Sequence, residues 1–295
     1  MPTQVSRVAL AALLQDPVGE IHFQPIRHLQ SGRPVGFEAL ARFPGPFGPA
    51  EWIEAAHRFG QIERLDRLLF RAAVTAFENS GLPGRLFVNL EAGHLALLPR
   101  WLSDVSTLMI DRIVIEVTER DPSPPQGWCA AGRTVRAQGY AISLDDFVCS
   151  LRFVHHARHL EPHFVKVDRT LVERMLRDPH TAFSRMGRWV RHARRIGATL
   201  IAEGVQDQQQ ARTLWQCGFG YGQGFGLGRP APAQRWLGGV DVWVAECTKE
   251  EEEADRANTH SGEVEYGIAG ACWCRRGVRC LRLQRISATF PLPVS

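Results

Sequence analysis

Eight short apolar runs, each about as long as a β-strand, recur along the chain and alternate with longer stretches of helical periodicity. Strand and helix alternate in this way around a parallel sheet, and eight strands at this spacing are enough to close a barrel. The pattern therefore predicts an α/β fold of the (β/α)8 barrel type. The runs are Ile21–Ile26, Val35–Leu40, Leu86–Leu90, Ile113–Val117, Ala141–Leu144, Phe164–Val167, Thr199–Ala202 and Tyr221–Phe225.

Segments of helical periodicity separate most of these runs. Apolar residues at helical spacing mark each segment as an amphipathic helix that can cover the outside of a barrel. The predicted helices are Ala50–Asn79, Ala92–Leu108, Gly127–Gln138, Leu151–Leu160, Leu171–Arg195 and Asp207–Gln216.

The junction between the first two runs has no room for a helix. It contains only the eight residues from Arg27 to Pro34, among them the turn signal Ser31-Gly32. A crossover between parallel strands needs a dozen or more residues, whereas antiparallel neighbours need only a short turn. We therefore predict a modified TIM-like barrel whose first strand pairs antiparallel with the second.

The character of the sequence divides the chain into three segments. We predict a helical lead-in at residues 1–17 and the barrel domain at residues 18–238. After Pro230-Ala231-Pro232 come a charge run, Lys249-Glu250-Glu251-Glu252-Glu253, and a Cys- and Arg-rich end without clear periodicity. Residues 239–295 are therefore assigned to a C-terminal appendage whose structure the sequence does not define.

Charge and cysteine content narrow the class of protein. The chain has 35 Lys+Arg against 31 Asp+Glu, a balance that is not typical of a protein that coats DNA or RNA. No apolar run reaches the roughly 18 residues of a membrane span, and Ala9–Leu14 is too short for a signal peptide. Seven cysteines without framework spacing indicate reduced thiols. These features predict a cytoplasmic protein that has no membrane segment and binds no DNA or RNA polymer.

Polar side chains stand at the ends of seven of the eight runs. In a (β/α)8 barrel the carboxyl ends of the strands converge on one mouth, where catalytic groups lie. A single acid after a strand is more often a helix cap or a solvated loop residue than a ligand. That explanation does not account for polar residues at the ends of seven successive runs. These residues are Glu38, Asn89, Glu116, Asp145, Asp146, Lys166, Glu203 and Gln223.

The predicted mouth carries five carboxylates and one asparagine. The carboxylates would repel one another unless cations neutralised them, and oxygen ligands of this type suit Mg²⁺ or Mn²⁺. Two such metals about 3.5–4 Å apart can bridge a water, lower its pKa and hold both the attacking and the leaving oxygen of a phosphodiester. The residue types therefore favour metal-assisted hydrolysis of a phosphate ester.

Eight blocks of the sequence resemble the EAL domain, the family of cyclic di-GMP phosphodiesterases, in order and in spacing. The resemblance covers about 220 residues. Glu-Ala-Leu alone would be a chance tripeptide, but eight ordered blocks are a specific signal. The blocks are Gln24-Pro25-Ile26, Glu38-Ala39-Leu40-Ala41-Arg42, Val88-Asn89-Leu90, Glu116-Val117-Thr118-Glu119, Leu144-Asp145-Asp146-Phe147, Lys166-Val167-Asp168, Ala202-Glu203-Gly204-Val205 and Gln223-Gly224-Phe225.

The resemblance implies a catalytic site with two ions of Mg²⁺ or Mn²⁺. One metal would be held by Glu38, Asn89, Glu116 and Asp145. The second would be held by Asp145 and Asp146, with Asp145 bridging the two. Lys166 and Glu203 would contact the metal-bound nucleophilic water and, together with Asp146, would form the catalytic group. Glu203 would serve either as general base or as a ligand of the second metal.

The remaining implied roles concern substrate and regulation. Arg42 would bind a substrate phosphate, a task that suits a planar, forked cation, and a salt bridge at the rim is its alternative. Gln24 and Gln223 would lie beside the substrate or the water. Glu119 would hold the loop after Asp145-Asp146-Phe147, which in the family couples the metal site to a dimer interface, so a homodimer is the assembly that the resemblance allows.

The function implied is hydrolysis of cyclic di-GMP to linear 5'-pGpG, which lowers an intracellular bacterial second messenger. The alternative is a weakly active or inactive EAL-type receptor for cyclic di-GMP, or a regulator that acts through protein contacts. Such receptors usually lose a ligand carboxylate, and this chain has lost none. A sugar hydrolase with paired carboxylates is disfavoured, because Asn89, Lys166 and the adjacent aspartates have no place in it.

The sequence departs from the family pattern in the loop that follows Asp145-Asp146-Phe147. The family has Gly-Thr-Gly-Tyr-Ser-Ser there, whereas this chain has Val148-Cys149-Ser150-Leu151-Arg152-Phe153. Valine disfavours the positive φ angles that glycine allows, so we expect a different loop path and altered or differently regulated catalysis. Two smaller departures are His57, where the family usually has an acid, and Gln206, where it usually has Glu.

Overall fold

The protein is seen here in a computed structural model, which describes residues 4–15, 19–101, 107–118, 125–147, 160–177, 187, 190–237, 271–273 and 279–281. The chain divides into two compact units, Met1–Cys247 and Thr248–Ser295. The second unit contains an antiparallel pair of short strands, Ala271–Trp273 and Arg279–Leu281. Within the described residues, no helix is both long and apolar enough to cross a membrane.

The first unit contains a closed barrel of eight strands in chain order. β1 pairs antiparallel with both β2 and β8, and the other neighbours pair parallel. The predicted modified barrel is therefore confirmed, including its antiparallel first strand. The strands are β1 Ile21–His28, β2 Pro34–Ala41, β3 Arg85–Asn89, β4 Ile113–Thr118, β5 Ala141–Phe147, β6 Phe164–Val167, β7 Thr199–Ala202 and β8 Tyr221–Gly222.

Helices lie between most strands of the barrel. The α-helices are Arg7–Leu13, Pro49–Arg58, Ile62–Ser80, Leu98–Trp101, Pro125–Ala137, Arg169–Arg177 and Gln208–Gln216, and residues 190–195 are also helical. Short 3₁₀ helices are formed by Ala92–Leu97, Thr107–Arg112 and Ala233–Trp236.

Three predicted elements differ from the observed ones. The single helix predicted at 50–79 is two helices, because Gly60 adopts a left-handed φ of 64° and ends the first of them. The helix predicted at 92–108 is a 3₁₀ helix followed by one α-helical turn and a second 3₁₀ helix. The last strand ends at Gly222, and Gly224 beyond it packs so closely on Val205 that an added Cβ would lie 2.2 Å from the Val205 carbonyl oxygen. Most of the helix predicted at 151–160 lies outside the described residues.

One layer of apolar side chains fills the inside of the barrel below the mouth. It is built from Ile26, Phe87, Val114, Ala141, Phe164 and Ile201, each at most 8% exposed. Burial of side chains of this size contributes about 1.5–3 kcal/mol each. Since alternate residues of a strand share one face, the residues two positions farther along the parallel strands must also point inward, one layer nearer the mouth.

Candidate active site at the barrel mouth

The layer above this apolar core is polar, as the two-residue period of the strands requires. Two positions beyond Phe87, Val114, Phe164 and Ile201 stand Asn89, Glu116, Lys166 and Glu203. β1 runs in the opposite direction, so Gln24 precedes Ile26 by two residues and pairs with Glu38 across the sheet. The carboxyl ends of the parallel strands thus supply most of the site and the antiparallel strand supplies one amide.

The Lys166 side chain lies among four carboxylates and is only 2% exposed. Its Nζ is 3.2 Å from Glu38 Oε2, 3.3 Å from Glu116 Oε1, 3.4 Å from Asp145 Oδ1 and 3.0 Å from Glu203 Oε1. One ammonium can neutralise only one of these negative charges. The mouth therefore needs further positive charge, or protons, to hold all four carboxylates together.

Two amides complete the environment of Glu38. Asn89 Nδ2 donates to Glu38 Oε1 at 2.8 Å, and Gln223 Nε2 donates to Glu38 Oε2 at 2.6 Å. Gln223 Nε2 also lies 3.1 Å from Gln24 Oε1, and Gln24 donates in turn to the carbonyl of Gly228. With Lys166, three side chains thus donate hydrogen bonds to Glu38, and these donors replace the water that the carboxylate lost on burial.

These surroundings move the carboxyl pKa values in opposite directions. Burial alone would raise the pKa of Glu38, but Lys166 and the two amide hydrogen bonds outweigh it, so that this pKa lies below its ordinary value. Burial raises the pKa of Glu116 well above its ordinary value, and Lys166 only partly offsets this effect. Burial likewise raises the pKa of Glu203, to about 7. Without metal, the raised pKa values favour the neutral forms of Glu116 and Glu203, and protonation there would reduce the negative charge of the mouth.

The Lys166 ammonium keeps its proton in spite of its burial. Burial alone would lower its pKa, but the carboxylates of Asp145, Glu116, Glu203 and Glu38 together raise it well above the ordinary lysine value. In the metal-free mouth the four carboxylates therefore favour the protonated form of Lys166.

The oxygen donors of the mouth suit a hard divalent cation. Glu116 Oε1, Asp145 Oδ1 and Gln223 Oε1 are buried without a hydrogen-bond donor. Lys166 gives the first two only charge contacts, at 3.3 and 3.4 Å. Carboxylate and amide oxygens left in this state are what Mg²⁺ and Mn²⁺ prefer as ligands. The donor set Glu38, Asn89, Glu116 and Asp145 therefore fits a metal chemically.

Asp145 and Asp146 lie where the pairing of β5 with β6 is irregular. The register shifts between Leu144 and Phe147, and such irregularities redirect side chains next to active sites. Asp145 points at Lys166. The backbone of Asp146 belongs to β5, but its side chain lies outside the described part, as do Glu119 and the whole loop 148–153.

Arg42 lies apart from the Lys166 cluster in this structure. Its Nε donates to His22 Nδ1 at 3.2 Å, and His22 Nε2 lies 3.0 Å from Glu20 Oε2. The structure thus brings together Gln24, Glu38, Asn89, Glu116, Asp145, Lys166, Glu203 and Gln223, while Arg42 contacts the rim residue His22.

Two further features near the mouth were missed from the sequence. The first is Ser143, which is fully buried and whose Oγ has no hydrogen-bond partner. It precedes Asp145 by two residues on the inner face of β5, so the two-residue strand period was a signal for it. The second is a group of three side chains of metal-ligand type, Asp66, Glu91 and His94, in which one ligand atom from each lies within 4.8 Å of the others. Only the buried acid Asp66 on an apolar helix face was a signal for that group.

The protein is an α/β barrel with one antiparallel strand. Its polar site lies at the carboxyl ends of the strands, where acidic and amide side chains surround a buried lysine. The chain belongs to the EAL domain family, whose model matches residues 7–230. The resemblance found in the sequence is thereby confirmed.

Relatives and solved structures agree with this assignment. The chain is 28% identical over 235 residues to Escherichia coli K12 PdeB, named a probable cyclic di-GMP phosphodiesterase; the match covers 74% of this chain but only 43% of PdeB. The PaMucR phosphodiesterase in complex with c-di-GMP is 25% identical, with a TM-score of 0.67, and the match covers 77% of this chain and 96% of that one. The manganese and cy-diGMP complex of Klebsiella pneumoniae BlrP1 is 27% identical, with a TM-score of 0.61, covering 73% and 56% of the chains.

The raised pKa of Glu203 gives a testable dependence of stability on pH. Between the ordinary pKa of about 4.5 and the folded value of about 7, the folded chain keeps a proton that the unfolded chain releases. We therefore expect the metal-free protein to lose stability as the pH rises through this window, by at most about 3 kcal/mol from this group. Glu203→Gln should remove that part of the dependence.

Thermal unfolding of the metal-free wild type and of Glu203→Gln, compared from pH 4.5 to 8, measures this contribution. The pKa values of His28 and His163 are lowered by burial, and that of His94 is raised, first by its hydrogen bond to Asp66. These histidines are common to both proteins, so their contributions cancel in the difference. A difference in unfolding free energy that does not change with pH would show that Glu203 titrates normally.

Proposed function

We propose that this chain hydrolyses cyclic di-GMP to linear 5'-pGpG with Mg²⁺ or Mn²⁺ at the barrel mouth. The observation that carries the proposal is the arrangement of four carboxylates around Lys166, with buried carboxylate oxygens that have no hydrogen-bond donor. The names of PdeB and PaMucR support the choice of substrate. A cytoplasmic location and a homodimer stay predictions.

Charge is the main physical argument for a metal-dependent reaction. Cyclic di-GMP carries two phosphodiester groups, each with a negative charge, and the mouth is itself acidic. An anionic substrate would be repelled unless cations reversed the potential of the mouth. We propose that Glu38, Asn89, Glu116 and Asp145 hold one ion and that Asp145 and Asp146 hold the second. Bound there, the ions would neutralise phosphate charge and make a water more acidic.

The remaining residues would position the water and move its proton. In hydrolysis a water oxygen attacks phosphorus, the bond from phosphorus to the 3' oxygen breaks, and the 3' oxygen takes up a proton. Glu203, with a pKa of about 7, suits a base that accepts a proton from the water near neutral pH. Lys166, whose Nζ lies 3.0 Å from Glu203 Oε1, would stabilise the negative charge that grows on the phosphoryl group.

We propose that three residues bind the substrate. Gln223 and Gln24 form a hydrogen-bonded pair at the mouth and would present amide groups to the nucleotide. Arg42 would bind the phosphate that is not being cleaved, after its guanidinium leaves His22. Arg42→Ala should therefore raise KM more than it lowers kcat.

A receptor that binds cyclic di-GMP without cleaving it is the second candidate. The observation that favours it is the loop sequence Val148–Phe153, which has no glycine where the family has two. The retained set of carboxylates favours the enzyme, because a receptor has no need of a metal shell around Lys166.

Product analysis distinguishes the two candidates. The full chain incubated with cyclic di-GMP and Mn²⁺ or Mg²⁺ should convert the substrate to one linear dinucleotide, with many turnovers for each protein molecule, as measured by chromatography. Glu116→Gln, run in parallel, controls for contaminating phosphodiesterase. Saturable binding without linear product, in the presence of either metal, would establish the receptor and overturn the enzyme.

A further inference from the structure

Asp66 is a buried carboxylate that accepts two hydrogen bonds from the segment after β3. It lies on the helix Ile62–Ser80 and is 9% exposed. Its Oδ2 accepts from the backbone N–H of Glu91 at 3.1 Å and from Nδ1 of His94 at 2.8 Å. A charge buried in this way is retained only with strong donors, so the carboxylate fixes the Glu91 backbone to the helix.

A second helix holds the same segment from another side. His57, near the end of the helix Pro49–Arg58, places its Nε2 2.6 Å from Glu91 Oε1. Glu91 is thereby held at its backbone by one helix and at its side chain by the other. We call the four residues His57, Asp66, Glu91 and His94 the β3 clamp.

The β3 clamp acts on the chain directly beyond Asn89. Asn89 is the last residue of β3, and the ladder continues for one more hydrogen bond, from Leu90 N to Glu116 O at 2.9 Å. The next fixed point is the Glu91 N–H on Asp66. Asn89 is exposed, and its Nδ2 donates to Glu38 at 2.8 Å. Because the Asn89 side chain is exposed and has little packing around it, its direction depends on the backbone conformation at the end of β3.

We propose that Asp66 is a positioning residue for Asn89, and that the β3 clamp holds the Asn89 carboxamide in the orientation required of a metal ligand. The proposal rests on the proposed function of the mouth. Residues behind metal ligands commonly change metal affinity or activity by 10- to 100-fold when they are replaced, because the ligand loses its direction. One hydrogen bond joins Asp66 to the backbone of Glu91, two residues beyond Asn89, so that Asp66 would act on the ligand through the chain.

The test compares Asp66→Ala with a conservative variant and a matched control. Asp66→Asn keeps an acceptor oxygen for the Glu91 N–H. Val74→Ala removes buried volume from the same helix, since Val74 is 3% exposed in the core and has no part in the clamp. For each full-length protein, the melting temperature, the Mn²⁺ dissociation constant without substrate, kcat and KM are measured.

Asp66→Ala is expected to weaken Mn²⁺ binding and lower kcat by about tenfold or more, with a smaller change in KM. Asp66→Asn should recover most of both, and Val74→Ala should lower the melting temperature while Mn²⁺ binding stays as in the wild type. Should Asp66→Ala not fold, His94→Ala takes its place, with an expected loss of Mn²⁺ affinity of about threefold.

Wild-type Mn²⁺ affinity and kcat in Asp66→Ala would overturn the proposal. So would equal losses of Mn²⁺ affinity in Asp66→Ala and Val74→Ala, because the role of Asp66 would then be stability alone. A wild type that binds Mn²⁺ but cleaves no cyclic di-GMP would refute the proposed function, while the comparison of Mn²⁺ affinities would still decide the role of Asp66.

Discussion

Replacing Glu38 with Gln is expected to lower hydrolysis of cyclic di-GMP by about a thousandfold or more, which corresponds to about 4 kcal/mol of transition-state stabilisation. Glu38 accepts hydrogen bonds from Asn89, Gln223 and Lys166, all of which donate. The new amide group would turn two donor hydrogens toward these donors. It would also remove one of the negative charges that attract the cations.

The same substitution at Glu116 provides a matched comparison. Glu116→Gln should abolish activity as fully, but the two variants should differ in metal-free stability. The lowered pKa of Glu38 means that its ionised form stabilises the fold above about pH 4.5, so Glu38→Gln should destabilise the protein at pH 7, by about 1–3 kcal/mol for the hydrogen bonds lost. The raised pKa of Glu116 means that its charge opposes folding, so Glu116→Gln should be more stable than the wild type.

Rates of cyclic di-GMP hydrolysis and denaturant unfolding of the two metal-free variants check this pair of expectations. Equal destabilisation of both variants would contradict the opposite pKa shifts of Glu38 and Glu116. If either kept wild-type activity, that carboxylate would not be a ligand.

Removing divalent metal should have an effect as large as removing a ligand. After chelation, hydrolysis should fall by about a thousandfold, and Mn²⁺ or Mg²⁺ should restore it. Mn²⁺ at a hundred times its dissociation constant should also raise the free energy of unfolding by about 2.7 kcal/mol. Ca²⁺ should inhibit, because its oxygen distances of about 2.3–2.6 Å exceed the 2.0–2.1 Å of Mg²⁺.

Activity assays with each ion, and thermal unfolding with and without Mn²⁺, provide the measurements. Glu38→Gln and Glu116→Gln serve as controls, since the stabilisation by Mn²⁺ should shrink in both. Full activity in exhaustively chelated protein would rule out a metal-dependent mechanism.

The barrel was predictable because its signals are local. Each strand is visible in the sequence as an apolar run. The two-residue period of a strand, as from Phe87 to Asn89 or from Ile201 to Glu203, predicts which side chains point inward. The antiparallel first strand followed from the short junction Arg27–Pro34. The length of this junction and the two-residue period of the strands are both visible in the sequence, and together they predict most of the residues of the mouth.

Features that depend on long-range packing were not predictable in this way. Lys166 lies among four carboxylates that stand in, or directly after, four other strands. This arrangement depends on how the strands are staggered around the closed barrel. The β3 clamp joins His57, Asp66 and Glu91 from two successive helices and the segment after β3, and their contacts depend on how these elements pack against one another. The break between helices at Gly60 had a local signal in that glycine, but the helical period on both sides masked it.

Heavy-oxygen labelling during cleavage of cyclic di-GMP tests the central claim most directly. The full chain is incubated with cyclic di-GMP and Mn²⁺ in water enriched in ¹⁸O, next to Glu38→Gln, and the products are examined by mass spectrometry. Hydrolysis at the barrel mouth predicts linear dinucleotide with one ¹⁸O atom on its terminal phosphate in the wild type and almost none in the variant. Unchanged cyclic di-GMP in both samples, or equal product with Glu38→Gln, would contradict it.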